Sequence, residues 1–250
     1  EGQSHTVSFS KGDVLIDGDL EQTSKSNGTR IEFTPDAEIF GDYHYREAHI
    51  EPLLKNYCFL NIGLTIIFND KKYSSKNGLV DLLNENLTDL ELYPIIHLLG
   101  DDIEVAITHT NQYGEEYYSF VNGQHTTQGG THLTAFREAT ARVIKEFYAR
   151  NFEYSDIRNG IVAAISIKVE EPVFESQTKT KLGSKEMEPN GVTVNKYIND
   201  FLKKELDNFL HKHPDTVEVL QKKIQDSEKE RKAIAGVTKL ARERAKKANL

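Results

Sequence analysis

Two side chains that donate hydrogen bonds, Gln177 and Lys179, stand two residues apart in a polar stretch, residues 174–181. The lysine ammonium is a compact charge with three donors, which suits a terminal phosphate. In an extended backbone both side chains point to the same side, so they could hold one phosphate while Thr178 points away. The stretch follows the most apolar run of the chain, and loops in such places often contact ligands. Composition alone, by contrast, favours a solvated polar loop.

A second candidate site is the pair Gly129 and Gly130, after which a helical pattern begins at Thr131. Backbone amides at a helix N-terminus can bind an anion, and Thr is a favourable N-cap residue. Two glycines are also typical of a tight loop without a ligand. The predicted helix carries Arg137 at the edge of its apolar stripe and Arg142 on its polar side.

Several kinds of chemistry are excluded because the residues they need are missing. Cys58 is the only cysteine, so an internal disulfide or a cysteine metal site is impossible, and a reduced cytoplasmic protein is expected. The nine histidines show no convincing metal-ligand spacing. The chain has no G-x-x-x-x-G-K-S/T phosphate loop, and Ser166 lacks the glycine elbow of a serine hydrolase. No apolar run approaches the ~18 residues of a membrane span, so no membrane association is expected.

Charge is distributed unevenly along the chain. The formal net charge of −8 argues mildly against nucleic-acid binding. Residues 231–250, however, contain seven basic residues and one acidic residue. This basic end could touch DNA through a set of cations, although such a run is more often a solvated helix face: Lys239, Arg242, Arg244, Lys246 and Lys247.

Apolar periodicity predicts helices and strands in one α+β chain, and a domain boundary is expected near residues 88–92. Residues 28–33 and 64–68 alternate as strands do, and residues 160–169 form an apolar, β-branched run typical of a central strand buried on both faces. Residues 103–107 and 117–121 predict a hairpin around the turn at 111–114. Helices are predicted over residues 43–57 and 78–87. Three more are predicted: one that starts at residue 131, one that ends at about residue 211, and one from Pro214 to the end of the chain.

Three motifs resemble the B (ATPase) subunits of bacterial type II DNA topoisomerases, and the resemblance runs essentially end to end. Gln177-Thr178-Lys179, followed by Lys181-Leu182, is similar to the family's Q-T-K loop. Gly129-Gly130-Thr131-His132 is similar to its G-G-T-H segment. The stretch from Gly28 to Asp36 resembles its G-T-x-x-x-F-x-P-D strand. Each motif alone is weak, whereas their combined order is specific.

The resemblance implies a fold and roles for particular residues. Residues 1–88 would be the C-terminal part of a GHKL-type ATPase domain, an α/β sandwich, and residues 89–250 a ribosomal-protein-like transducer domain with a left-handed βαβ crossover and a long C-terminal helix. Gln177 and Lys179 would contact the γ-phosphate of ATP, with Lys179 catalytic. Thr29 would join the hydrogen bonds around the adenine. A DNA-binding role for Arg137 and Arg142 is a hypothesis.

The resemblance also implies cofactors and partners. The intact protein would use ATP and Mg, with the Mg ligands, the catalytic Glu and the glycine-rich lid all preceding residue 1. It would act on DNA, pair with a DNA-cleaving A subunit in an A2B2 assembly, and form a B-subunit homodimer on binding ATP. The isolated 250 residues are predicted to be inactive. The end of the chain, from Arg242, resembles topoisomerase IV B subunits more than gyrase B.

Other functions stay open from the sequence. One is another GHKL ATPase, of the mismatch-repair type, although Gln177 and the Gly-Gly-Thr-His segment disfavour it. A second is a non-catalytic DNA-binding module, and a third is a structural scaffold in which Lys179 has no part.

Overall fold

The structure is a computed structural model that describes the backbone of residues 2–248 and the side chains of residues 2–238. It divides into two compact units, Glu1–Ile50 and Glu51–Leu250. The basic side chains that could touch DNA, from Lys239 to Lys247, lie outside the described residues. The predicted domain boundary at residues 88/89 stays a prediction, because compact units and family domains need not coincide.

The first unit contains short elements without a buried core. Strands β1 (Gln3–Ser4) and β4 (Glu21–Gln22) pair antiparallel, as do β2 (Val7–Ser10) and β3 (Asp13–Asp17). Helix α1 (Ala37–Phe40) is capped by the Asp36 carboxylate, which accepts from the Glu38 amide at 2.9 Å. Residues 28–33, predicted as a strand, have no regular secondary structure, so that prediction is wrong here. Among residues 2–50 none is buried.

Helix α2 (Glu47–Leu60) begins at the end of the first unit and starts four residues later than predicted. The antiparallel pair β5 (Thr65–Phe68) and β6 (Lys71–Ser74) follows, and then helix α3 (Leu79–Asn86). The Asp81 carboxylate accepts hydrogen bonds from the amides of Lys76 and Asn77 just before α3, which favours a helix start here.

The second unit is built on a five-stranded sheet. Its strands are β7 (Ile96–Leu99), β8 (Ile103–His109), β9 (Glu115–Val121), β10 (Gln124–His125) and β11 (Ile161–Ile167), in the order β10-β9-β11-β8-β7. The predicted hairpin of β8 with β9 is wrong, because β11 inserts between them, antiparallel to β8 and parallel to β9. The most apolar strand thereby takes the central position, where both of its faces are buried, as predicted.

Alternate residues of β11 enter two separate cores. Ile161, Ala163, Ile165 and Ile167 pack with helices α4 (Thr131–Tyr148) and α6 (Val194–Lys212). Val162 and Ala164 pack with α3 on the opposite face. The sheet is therefore covered by helices on both sides, and the parallel strands β9 and β11 are joined through α4 and the short helix α5 (Tyr154–Arg158).

The last helix, α7 (Pro214–Ala248), has 35 residues and begins at the predicted residue. Its first half is fixed to the second unit. The Arg231 guanidinium donates to both oxygens of the buried Asp156 carboxylate, at 2.7 and 2.8 Å, and the Tyr148 hydroxyl donates to the Val217 carbonyl at 2.6 Å. None of the helices that the structure describes is both long and apolar enough to cross a membrane.

Candidate functional site

The residues predicted to hold a phosphate lie in a closed loop, residues 174–182, which we call the phosphate loop. Phe174 and Leu182 form an antiparallel bridge at its base, and the Glu175 amide donates to the Lys181 carbonyl at 3.0 Å. At its tip, the Lys179 amide donates to the Ser176 carbonyl at 3.0 Å, and Lys179 has a positive φ of 54°. The tip is thus a tight turn and not the predicted extended backbone, so Gln177 and Lys179 cannot be placed on one side by strand alternation.

The tip of the phosphate loop is open to solvent. Gln177, Thr178 and Lys179 are exposed, and the Thr178 and Ser176 hydroxyls are 2.7 Å apart. Lys181 forms an ion pair with Glu175 at 3.0 Å. Among the hydrogen bonds and ion pairs of residues 2–238, none involves the Lys179 ammonium. This lysine is therefore the cation of the loop that a ligand can reach without breaking an ion pair.

The phosphate loop is attached at its base to the segment that contains the two glycines. The Gln128 amide donates to the Thr180 carbonyl at 2.9 Å, the Leu182 amide to the Gly129 carbonyl at 3.0 Å, and the Thr131 amide to the Leu182 carbonyl at 3.2 Å. We call this set of hydrogen bonds the clasp. It brings together the two segments that were separately predicted as candidate sites.

Gly130 is the position where the clasp requires glycine. Its φ of 133° and ψ of −161° lie in a region that is essentially restricted to glycine. A Cβ placed there would be 2.3 Å from the Leu182 carbonyl oxygen, which is impossible without moving the backbone. The glycine therefore serves the close approach of two backbone segments.

Two interpretations of this segment are corrected by the structure. The amides of Gly129 and Thr131 already donate to the carbonyls of Thr126 and Leu182, so they do not form an anion cradle. Thr131 is the first residue of α4 and not its N-cap. Its hydroxyl instead donates to the Ser184 carbonyl at 2.7 Å.

A buried polar network supports the turn before α4. The Thr126 hydroxyl donates to the Ser119 carbonyl at 2.8 Å, and the Ser119 and Thr126 hydroxyls are 2.7 Å apart. His132 Nε2 lies 3.1 Å from the Thr126 hydroxyl. Burial lowers the pKa of His132 to about 4, so its ring is neutral at neutral pH. Ser119 and Thr126 were missed from sequence, because one lies in strand β9 and the other in a polar loop, and isolated Ser and Thr residues give no periodic signal.

Asn122 holds the segment that leads from strand β11 into the phosphate loop. Its side-chain amide pairs with the backbone of Val169, accepting from the amide and donating to the carbonyl, both at 2.8 Å. Its own φ is 50°, a left-handed value that Asn tolerates better than most residues. This residue also was not predicted, because a single Asn at the start of a polar loop gives no pattern.

The two arginines proposed for DNA binding lie in different surroundings. Arg137 donates from Nε and Nη2 to Glu115, at 3.1 and 2.9 Å, and its guanidinium lies 5.4 Å from the centre of the Tyr117 ring. Arg158 donates to the same carboxylate. Burial disfavours the Glu115 charge, but hydrogen bonds from Arg137, Tyr117 and Arg158 outweigh it and lower the pKa of Glu115. Arg142, by contrast, is exposed on α4.

Thr29 lies in the first unit, in an exposed stretch without regular structure, and its predicted contact with adenine stays a prediction. Among the residues that the structure describes, no three His, Cys, Asp or Glu side chains cluster so as to hold a metal ion.

Comparison with known proteins gives consistent results. The family model described as DNA gyrase B matches residues 72–239. The B subunit of DNA topoisomerase 4 from Borreliella burgdorferi is 44% identical over 98% of this chain and 40% of its own length. The B subunit of DNA gyrase from Clostridium acetobutylicum is 32% identical over 86% of this chain and 36% of its own length. The chain thus spans about two fifths or less of these relatives.

Solved structures show the same fold at lower identity. The 43K ATPase domain of Thermus thermophilus gyrase B superposes with a TM-score of 0.74 at 23% identity, covering 96% of this chain and 69% of that one. The topoisomerase IV ATP-binding domain of Francisella tularensis gives 0.68 at 21%, covering 92% and 67%. The α+β fold class is therefore confirmed. With the family model matching residues 72–239, the chain belongs to the DNA gyrase B family.

Proposed function

We propose that the chain is the part of an ATP-dependent type II DNA topoisomerase, within its ATPase (B) component, that couples the γ-phosphate of ATP to closure of a DNA gate. Lys179 would contact the γ-phosphate, assisted by Gln177, and would act in catalysis as well as sensing. The observation that supports this most directly is the phosphate loop itself. Its tip presents an ammonium without an ion-pair partner among residues 2–238, while its base is bonded to α4 by the clasp.

The nucleotide would be bound mainly by residues outside this chain, and Thr29 is proposed to contribute to the hydrogen bonds around its adenine. The bound ATP supplies the phosphoanhydride bond whose hydrolysis resets the gate. Mg ligands are expected outside residues 1–250. An exposed Lys and an exposed Gln fit the terminal phosphate, because neither side chain must first give up a buried partner.

The energetic scale of such a contact is sufficient for a switch. A charge-assisted hydrogen bond contributes about 1.5–3 kcal/mol, which corresponds to about 10- to 150-fold in an equilibrium between two states. If Lys179 reaches the phosphate in only one orientation of the transducer domain, residues 89–250, ATP favours that orientation and hydrolysis releases it. The clasp would carry this movement from the loop into α4.

Duplex DNA is the proposed substrate of the assembled enzyme, with strand passage leading to decatenation or relaxation. Arg142, exposed on α4, is proposed to contact a DNA phosphate directly. Arg137 is proposed to do so only if DNA competes with its ion pair to Glu115. The assembly would be A2B2, with an A subunit that cuts DNA and two B subunits that associate on binding ATP, in the cytoplasm. Membership of the DNA gyrase B family supports this proposal over a mismatch-repair ATPase.

The test uses a protein extended upstream to include the rest of the ATPase domain. We expect Lys179→Ala to lower kcat for ATP hydrolysis at least ~10-fold, since a charged hydrogen bond in the transition state is lost. Lys185→Ala, another lysine close by in sequence, is the matched control and should keep wild-type turnover.

Unchanged turnover in Lys179→Ala would contradict the proposal. If such a protein bound DNA in a salt-sensitive way that nucleotide does not alter, a non-catalytic DNA-binding module would replace it. The isolated 250 residues should show no ATP turnover that depends on Lys179.

A further inference from the structure

The hydroxyl of Thr131 has an unusual place for the first residue of a helix. It donates to the Ser184 carbonyl, at 2.7 Å, across 53 residues of chain. The backbone amide of the same residue donates to the Leu182 carbonyl at 3.2 Å. A single residue of α4 therefore holds two nearby points on the segment that leaves the phosphate loop.

Ser184 extends this connection to the segment that enters the loop. Its hydroxyl accepts from the Val173 amide at 2.7 Å, and its own amide donates to the Val173 carbonyl at 3.2 Å. Through Ser184, Thr131 is thus linked to the residues on both sides of the loop. A shift of α4 relative to Ser184 would move both ends of the loop together.

The tip of the loop is held differently from its base. Its described hydrogen bonds, between Ser176 and Thr178 and between Ser176 and Lys179, remain within the tip. These hydrogen bonds close the tip as a turn, and its position depends on the base that carries it. A displacement of the base therefore also displaces the side chains at the tip.

We propose that Thr131 is a positioning residue, whose hydroxyl keeps the phosphate loop in register with α4 so that Lys179 reaches its phosphate when the transducer domain moves. This inference rests on the proposed function of Lys179. It goes beyond that function, because it assigns a role to a residue whose hydroxyl contacts the base of the loop and not the nucleotide. The kind of ligand is unchanged: the terminal phosphate of a nucleoside triphosphate.

The test compares Thr131→Val with Thr131→Ser in the protein extended upstream, with ATP as the probe. Valine keeps the shape of threonine and removes the donor, so we expect kcat to fall ~5- to 10-fold, the range of one lost hydrogen bond. Nucleotide-binding stoichiometry should stay the same. Serine keeps the donor and should restore kcat to within about twofold of wild type. Thr134→Val, a threonine on the same helix, is the matched control.

A double-mutant cycle separates positioning from a merely structural role. If Thr131 acts through Lys179, then Thr131→Val should cause little further loss of kcat in a protein that already carries Lys179→Ala. Full additivity of the two losses would overturn the inference, as would wild-type kcat in Thr131→Val or a Thr131→Ser variant as slow as the valine variant. The serine variant decides even if valine lowers stability.

The two proposals fail in distinguishable ways. A large loss in Lys179→Ala with wild-type kcat in Thr131→Val would leave the proposed function intact and remove only the role of Thr131. Wild-type kcat in Lys179→Ala would overturn both.

Discussion

The two units of the chain use similar apolar residues with opposite results. In the first unit, Ile31 and Phe33 alternate with polar residues, yet they are 81% and 69% exposed and form no strand. In the second unit, Ile161 and Ile165 are 1% and 0% exposed in the central strand of the sheet. Alternation alone therefore does not make a strand. The apolar run of β11 is a strand because neighbouring strands satisfy its backbone and helices cover both of its faces.

The difference between the units should be largest in hydrogen exchange. Amides of β11 are bonded to β8 or β9, and we expect them to exchange only by large-scale opening. Amides of residues 28–33 lie in an exposed segment without regular structure. We expect at least ~1000-fold greater protection for β11, which corresponds to a difference in opening free energy of ~4 kcal/mol or more between the two segments.

Hydrogen exchange followed by mass spectrometry at peptide resolution measures this ratio directly. Residues 103–109 of β8 serve as an internal reference, because they share the core of β11. Comparable protection of residues 28–33 would show that the first unit has a stable core of its own and would remove the contrast.

Glycine substitutions should sharpen the comparison. We expect Gly130→Ala to destabilise the second unit by about 3 kcal/mol, because it combines a backbone conformation restricted to glycine with a backbone clash. Gly28→Ala, in the first unit, meets no atom within 4 Å and should leave stability almost unchanged. Urea unfolding monitored by tyrosine fluorescence gives both values.

An equal effect of the two glycine substitutions would contradict the clasp. It would mean that residues 128–131 and 180–184 separate easily, and that the phosphate loop is carried by its own hydrogen bonds alone.

The same contrast explains which features the sequence could predict. The buried strand β11 and the helices α3 and α4 follow from an apolar run or from apolar periodicity, and each buries apolar residues. Their local preference and their environment agree, so residue type suffices. The resemblance likewise placed Gln177 and Lys179 on an exposed loop where a ligand can reach them.

Features that depend on distant partners could not be predicted from local sequence. The turn at residues 111–114 indicated that β8 pairs with β9, but β11, about 50 residues later, offers both strands a more apolar partner. Thr131 is a residue type that is favoured at the N-cap, yet its hydroxyl donates a hydrogen bond to the Ser184 carbonyl. Both predictions are wrong for the same reason. The local sequence favours one interaction, but a contact between residues far apart in sequence forms instead.

The smallest of the expected effects concerns a buried histidine and its dependence on pH. In the second unit, His109 Nε2 donates to the Ile157 carbonyl at 2.8 Å and Nδ1 accepts from the Tyr93 hydroxyl. Burial lowers the pKa of His109 to about 4, from an ordinary value of 6.5. The folded state therefore prefers the neutral ring. The contribution of the neutral His109 ring to the free energy of unfolding is complete above pH ~6.5 and is lost as the pH falls toward about 4.

Replacing His109 removes this contribution and its pH dependence together. His109→Gln should have a lower free energy of unfolding than wild type at neutral pH. The difference between the two proteins should decrease by about 1 kcal/mol between pH 7 and pH 5.5, because only the wild type must keep a buried ring neutral. Urea unfolding at the two pH values measures this difference. If the difference stayed constant, the ring would titrate alike in the folded and unfolded chain. In that case the second unit would not shield its polar interior from water any better than the first.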